Sequence, residues 1–430
     1  MLRSWKNRLV ALLVFLLVPF FASAQTDGTY SGFSPYSVYG IGQLHDGGTA
    51  WNRGMGGIGI ATRNKRFINI ANPASVTARD SLSFMTDFGL TPKFSLYTDG
   101  SKKAVSTTVN IEDFVLSFPL WNHTAMMVGV TPLSDVGYKI TSTSIDLYTG
   151  KNTFTSSGNG GIYQVFAAVG GTLWNRLSLG VQGMYVFGNV NKSAQQTYSD
   201  DSYRTYYAGD SLQVRSFSVK FGLQYEQPIS TKSFITFGAT YRLSTPMDGQ
   251  QIHYLEEGSY YRERKETSLS QAGLRFGDEL GVGLSFRQSD DFLVEADYIR
   301  KDWRKSGFDT MVGFSNVGDR VFATSAAQSV RLGAEWTPNR NDIRYFLKRC
   351  TYRLGAYYDQ SYYTVDGQHI DAVGITLGMT VPVFRYYNGL TVGLDLGQRG
   401  LAPGQIKEYY VGVNLGFNLF DIWFQKHLYE

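Results

Sequence analysis

The chain has 430 residues, of which 43% are hydrophobic and 15% aromatic, with 47 glycines, 11 prolines and a single cysteine. Its net charge is +4, and about +1 once Arg3, Lys6 and Arg8 are set aside as part of a leader, so there is no global basic footprint for nucleic acid. One cysteine excludes an internal disulfide, and no later segment strings together the roughly 18 uncharged apolar residues of a spanning helix.

In chain order, residues 1–24 read as a secretory signal. Arg3, Lys6 and Arg8 form its basic part, Leu9 to Phe21 its apolar part, and Ala22-Ser23-Ala24 a small-residue cleavage site before Gln25. No cysteine follows the cut, so a lipoprotein is not expected. Residues 25–80 are rich in Gly and Pro and show little sustained alternation. They are too polar to span lipid and too few for a large core of their own, so they are expected inside something larger, as a plug. Gly54-Met55-Gly56-Gly57-Ile58-Gly59 superficially matches a dinucleotide fingerprint. It lacks the preceding strand, the following helix and the acidic residue about 20 positions on, and close backbone packing is the better reason for these glycines.

From Ser81 the pattern becomes strands, expected at 81–98, 104–118, 124–147, 159–174, 177–198, 204–226, 234–255, 267–287, 292–304, 327–337, 350–363, 370–382, 389–399 and 407–419. The final stretch is the clearest: Tyr409, Val411, Val413, Leu415, Phe417 and Leu419 share one phase, against Tyr410, Gly412, Asn414, Gly416 and Asn418. Period-2 alternation gives each strand an apolar face and a small or polar one. The fold class expected is all-β, an antiparallel transmembrane β-barrel of about fourteen strands with the N-terminal segment as a plug in the lumen. An even strand number, short turns such as Trp174-Asn175-Arg176 and longer polar loops on the other side fit it; 337–349 is an exception. The rival is a soluble two-sheet sandwich, against which the long strands, the aromatics and the leader argue. The domains are then 1–24 signal, 25–80 plug, 81–420 barrel and 421–430 a periplasmic tail.

A charge on the lipid face at mid-depth costs about 2–4 kcal/mol for Arg or Lys. Lys220, Glu226, Glu295, Asp297, Arg331, Glu335, Arg353 and Asp395 are therefore expected in the lumen as a polar network. No continuous apolar cluster is identifiable among the predicted lumen residues. In the third strand, Thr131-Pro132-Leu133-Ser134-Asp135 places a proline where a ladder donor is needed. Either it makes a bulge near one rim, or pairing with one neighbour fails and a lateral hole opens at Thr131, Pro132 and Asp135. The five histidines (His45, His123, His253, His369, His427) have no ligand spacing, Cys350 reads as a small residue at a strand start, and no catalytic set, metal site or cofactor site is expected.

A leader, a glycine-rich plug ending in Asn72-Pro73-Ala74, about fourteen strands and an interrupted third strand together resemble the FadL-like outer-membrane transporters. The resemblance implies an outer-membrane location, a hatch whose geometry rests on Gly54, Gly56, Gly57, Gly59, Asn72, Pro73 and Ala74, and lateral exit of a hydrophobic small molecule at the third-strand kink. It implies outer-membrane lipid as surroundings and no enzyme activity. The closing segment, Asp395 to Gly400 and Asp421 to Lys426, resembles the endings of such barrels in the Bacteroidota. Some FadL-like barrels instead serve as subunits of outer-membrane secretion or assembly complexes. The charged lumen and the tail after Leu419 and Phe420 give that alternative weight.

Overall fold

The computed structural model describes residues 33–422 apart from 46, 80–81, 147–148, 201, 259–260, 312, 315, 318–319 and 384–388. The expected leader, 1–24, and the part of the expected tail beyond Ile422 lie outside the described residues. Fourteen antiparallel strands close into a barrel. They are β1 (Ser83–Thr98), β2 (Lys103–Trp121), β3 (Thr124–Asp146), β4 (Gly150–Leu173), β5 (Leu177–Tyr198), β6 (Tyr206–Pro228) and β7 (Ser233–Arg242), then β8 (Asp278–Gln288), β9 (Phe292–Asp302), β10 (Ala326–Trp336), β11 (Thr351–Val365), β12 (Gln368–Pro382), β13 (Gly389–Arg399) and β14 (Lys407–Ile422). The first and last strands close the ring, with Lys407 opposite Thr98 and Ile422 opposite Ser83.

The apolar phase faces outward. Leu284, Leu332, Leu354, Ile375, Phe417 and Leu419 are all exposed, while Ser285, Arg331, Arg353, Thr376 and Asn418 on the opposite phase are buried. An outward face this apolar suits hydrocarbon rather than water, and closing the sheet into a ring pairs backbone groups of neighbouring strands with each other. Tight turns use residues that tolerate positive φ. Asp366 and Gly367, at 51° and 77°, join β11 to β12 as a two-residue type I′ hairpin.

The long strands expected at 234–255 and 267–287 are each broken. β7 stops at Arg242 and its continuation, Gly249–Glu257, pairs with β6 and with a separate strand, Tyr261–Ser268. Pro246 cannot donate to a ladder. Around it the chain leaves the wall, Met247 N–H donates to Leu274 O, and Met247, Leu269, Leu274 and Phe276 turn into the interior. There they join an apolar cluster that fills the barrel end opposite the last residue of β14. It includes Tyr36, Val38 and Ile41 from the N-terminal segment, Leu133 and Val136 from β3, Trp303, Phe308 and Phe314 from the loop after β9, and Tyr362 and Tyr363 from β11. Alternation alone did not reveal this interior cluster, because much of it comes from loops folded inward.

Candidate functional site

Residues 33–79 lie in the lumen and are bound to the wall on two sides. Their regular pieces are short: turns of 3-10 helix at Pro35–Val38 and Pro73–Ala78, an α-helical turn at Ala50–Arg53 and a two-residue strand, Gln43–Leu44. Local hydrogen bonds cap them, since Asn52 Oδ1 accepts from Thr49 N–H and Asn72 Oδ1 from Ala74 N–H. Toward β10–β14, Trp51 Nε1 donates to Glu335 at 2.7 Å and Gly56 N–H to Thr376 at 2.7 Å. Gly54 lies against Gly378, close enough that a β-carbon on either would touch the other's backbone. Gly56 and Gly57 have φ of 69° and 77°, which favours glycine on conformational grounds as well. Toward β4–β6, Pro73 and Ala74 rest on Gly180 and Gly222, and Asn72 Nδ2 donates to Ile60 O and Leu223 O. Glycines on the wall and glycines in the segment thus let two backbones approach.

Two buried carboxylates serve this seat directly. Asp297 accepts from the N–H groups of Gly59 and Ile60 at 2.8 and 3.1 Å. Glu295 accepts from Ala61 N–H at 2.8 Å and from the Thr62 hydroxyl. The remaining predicted lumen charges form separate groups rather than one network. Lys220 pairs with Glu279 at 3.1 Å, Glu226 with Arg287 at 2.9 Å, and Arg331 with Asp359 at 3.1 Å. Glu335 and Arg353 meet at 2.8 Å, and Asp395 accepts from the Tyr357 hydroxyl at 2.8 Å.

The wall is incomplete at one seam. The ladder between β2 and β3 runs from Trp121 and Thr124 to Phe114 and Val130, and ends there. Thr131 follows, then Pro132 without an N–H, and the β3–β4 ladder bulges between Pro132 and Ser134. Every residue of 131–138 is buried, so β3 has turned from the wall into the lumen. The N-terminal segment takes the vacated edge. Gln43 and Leu44 pair with Asp135 and Ser134, His45 N–H donates to Leu133 O, and Ser34 N–H to Gly137 O.

Side chains then bridge the seam. The β1–β2 register shifts between Gly89 and Leu90, which leaves Glu112 as an extra residue and turns both Glu112 and Asp113 inward. Glu112 binds Arg53 at 2.7 Å and the His45 ring at 3.3 Å. The other ring nitrogen of His45 meets Asp135 at 2.5 Å, and Asn110 Nδ2 donates to the same carboxylate at 2.8 Å. Burial by itself lowers the pKa of His45, but Asp135 and then Glu112 outweigh it and push the imidazole up to about 10. The ring is a cation held between two carboxylates on two strands. The sequence marked His45 only as one of five scattered histidines, and Arg53, Asn110 and Glu112 were not among the expected site residues. The only signal was Glu112-Asp113, two adjacent acids interrupting an alternating strand.

The lumen between seat and seam holds a cavity of mixed lining, apolar at Leu44, Ile60, Ile70, Pro132, Leu133, Phe166, Met184 and Ile299 and charged at Lys220, Arg242, Glu279, Lys301 and Arg331, and lined also by His45. This site can hold a segment in place and bridge a split wall. Among the described residues no group of three or more His, Cys, Asp or Glu could ligate a metal.

The fold is a closed fourteen-stranded antiparallel β-barrel with residues of the N-terminal segment bound to its inner wall. The chain belongs to the BamG family, whose model matches residues 5–430. Among solved structures it is similar to the Pseudomonas putida toluene transporter TodX (13% identity, TM-score 0.57, 89% of this chain and 100% of that one). It is also similar to the Ralstonia pickettii toluene transporter TbuX (13%, 0.56, 87% and 98%) and to a Pseudomonas aeruginosa FadL homologue (10%, 0.57, 88% and 99%). At these identities the likeness is one of fold. No curated protein sequence matches the chain.

Proposed function

We propose that this barrel is a non-transporting FadL-like subunit of an outer-membrane protein assembly or secretion complex, and that it works through its wall, loops and tail rather than through its lumen. The observation that carries this reading is the seat of the N-terminal segment. Buried carboxylates, a Trp–Glu contact and facing glycines fix it to both halves of the ring, and packed apolar side chains fill the far end. Gly54, Gly56, Gly57, Gly59, Asn72, Pro73 and Ala74 then serve as a fixed seat, not as a hinge. A hydrophobic cargo asks for a mostly apolar pocket, and the cavity beside the seam is of mixed character, with Lys220, Arg242, Glu279, Lys301 and Arg331 set among its apolar side chains. Membership of the BamG family supports the reading, and the closing segment supports a Bacteroidota source.

A second reading has its own support. Passive uptake of a hydrophobic small molecule, with lateral exit at Thr131, Pro132 and Asp135, is favoured by the end of the β2–β3 ladder beside that cavity. The two are separated by purifying the tagged protein from its own membranes in mild detergent and by depleting it in cells. The subunit reading expects a stoichiometric outer-membrane partner and reduced levels of other outer-membrane barrels. A lone barrel, normal barrel levels and lost uptake of hydrophobic compounds would replace it with the transport reading.

A further inference from the structure

Among the described residues, the seam leaves one strand edge without a neighbour. Residues 103–111 of β2 pair with β1, and no ladder among the described residues runs from their other side, because pairing with β3 stops at Phe114. In an antiparallel strand about every second residue of such a run turns its N–H and C=O away from the existing partner. A row of that kind is a template for another strand, and in hydrocarbon only another backbone can satisfy it.

The side chains on this edge narrow the choice of occupant. Val105, Val109 and Ile111 point outward and are 62%, 45% and 58% exposed, continuing the apolar face of the wall. Asn110 and Glu112 on the opposite phase are buried and drawn into the lumen contacts with Asp135, His45 and Arg53. A strand laid along 103–111 must therefore present apolar residues to lipid and polar ones to the lumen. That dyad is the pattern of a transmembrane barrel strand. An acyl chain brings no donors or acceptors for the ladder, and a helix has none to spare.

We infer that the free edge of β2 receives an extended strand from a second outer-membrane β-barrel protein. The inference rests on the subunit reading above and gives that complex its point of contact. His45, Asn110 and Asp135 bridge the inner side of the seam, so a strand can dock on its outer side without breaking those contacts.

The test is site-specific photo-crosslinking in intact cells. A photoreactive residue replaces Val105 or Val109, with Leu284 and Leu332, exposed elsewhere on the wall, as controls. Crosslinks to one barrel protein are expected from the edge positions only. Mapped by mass spectrometry, they should fall in one strand, at partner positions about four residues apart, the spacing of the two probes. Thr107→Pro and Thr108→Pro are made in parallel. One of these two N–H groups faces the seam, so one variant should lose the adduct while still migrating as a folded, heat-modifiable barrel. Adducts confined to lipid, to a second copy of this chain or to a partner's loop overturn the inference, as does an adduct that survives in both proline variants. If a partner co-purifies but no edge position crosslinks, the inference fails and the subunit reading stands. If no partner appears by either method, both fail.

Discussion

Glu112 forms an ion pair with Arg53 and faces His45 in a site where the carboxylate itself is buried. Removing one partner from a buried ion pair leaves the other charges uncompensated, at about 3–5 kcal/mol. Glu112→Ala is therefore expected to lower the unfolding midpoint of the purified barrel by that order, measured in denaturant by the loss of heat-modifiable migration. Restoring a carboxylate at the same place by Glu112→Asp should recover only part of it. His45 makes a second prediction, with a definite sign. Its imidazole titrates near 6.5 when unfolded and is held up to about 10 when folded. Its contribution is then fully present below about pH 6.5 and is lost as the pH rises toward 10. Stability measured from pH 6 to 10 should fall in the native protein and be flatter across that window in His45→Gln. A fall of equal size in both would remove His45 as the cause.

At the scale of elements, glycines decide where the lumen segment sits. A side chain at Gly222 would collide with Asn72 and Pro73, and one at Gly180 with Pro73 and Ala74. Gly222→Val should leave the barrel ladder intact, with unchanged β-sheet circular dichroism, yet dislodge the 72–76 turn. Limited trypsinolysis should then cut at Arg63, Lys65 or Arg66, where the native protein resists. These strands were legible in the sequence because lipid on one side and a crowded lumen on the other enforce a dyad over their whole length. The broken strand after Arg242 was not legible. Its apolar phase shifts from Tyr241, Leu243 and Met247 to Ile252 and Tyr254 across the break, but that shift and the absent donor of Pro246 do not by themselves tell a bulge from a strand end, and the interior cluster that draws the turn inward is not visible locally. The seam was legible in one respect, a proline in mid-strand. Its polar bridge was not, because His45 and Asp135 stand 90 positions apart and nothing local marks them as partners. Nor did alternation indicate that Glu295 and Asp297 serve backbone N–H groups of the lumen segment rather than cations across the barrel.

For the whole molecule, a seated N-terminal segment and a filled far end predict a silent pore. In planar bilayers the intact protein is expected to show no steady ion conductance, and a variant lacking residues 34–79 is expected to conduct. Steady conductance by the intact protein would mean that the lumen is open. The same arrangement bears on how the protein is made. The segment leaves the ribosome first, yet its seat is built by Thr376, Gly378, Gly393 and Gly416 near the end of the chain, together with Gly180 and Gly222 from the middle. Contacts of such long sequence separation form slowly. Until β14 meets β1 the segment has no complete surface to settle on, so it is expected to stay unseated until the ring closes. Protection of the segment from protease should therefore be the last event of biogenesis and should mark the moment the ring is finished.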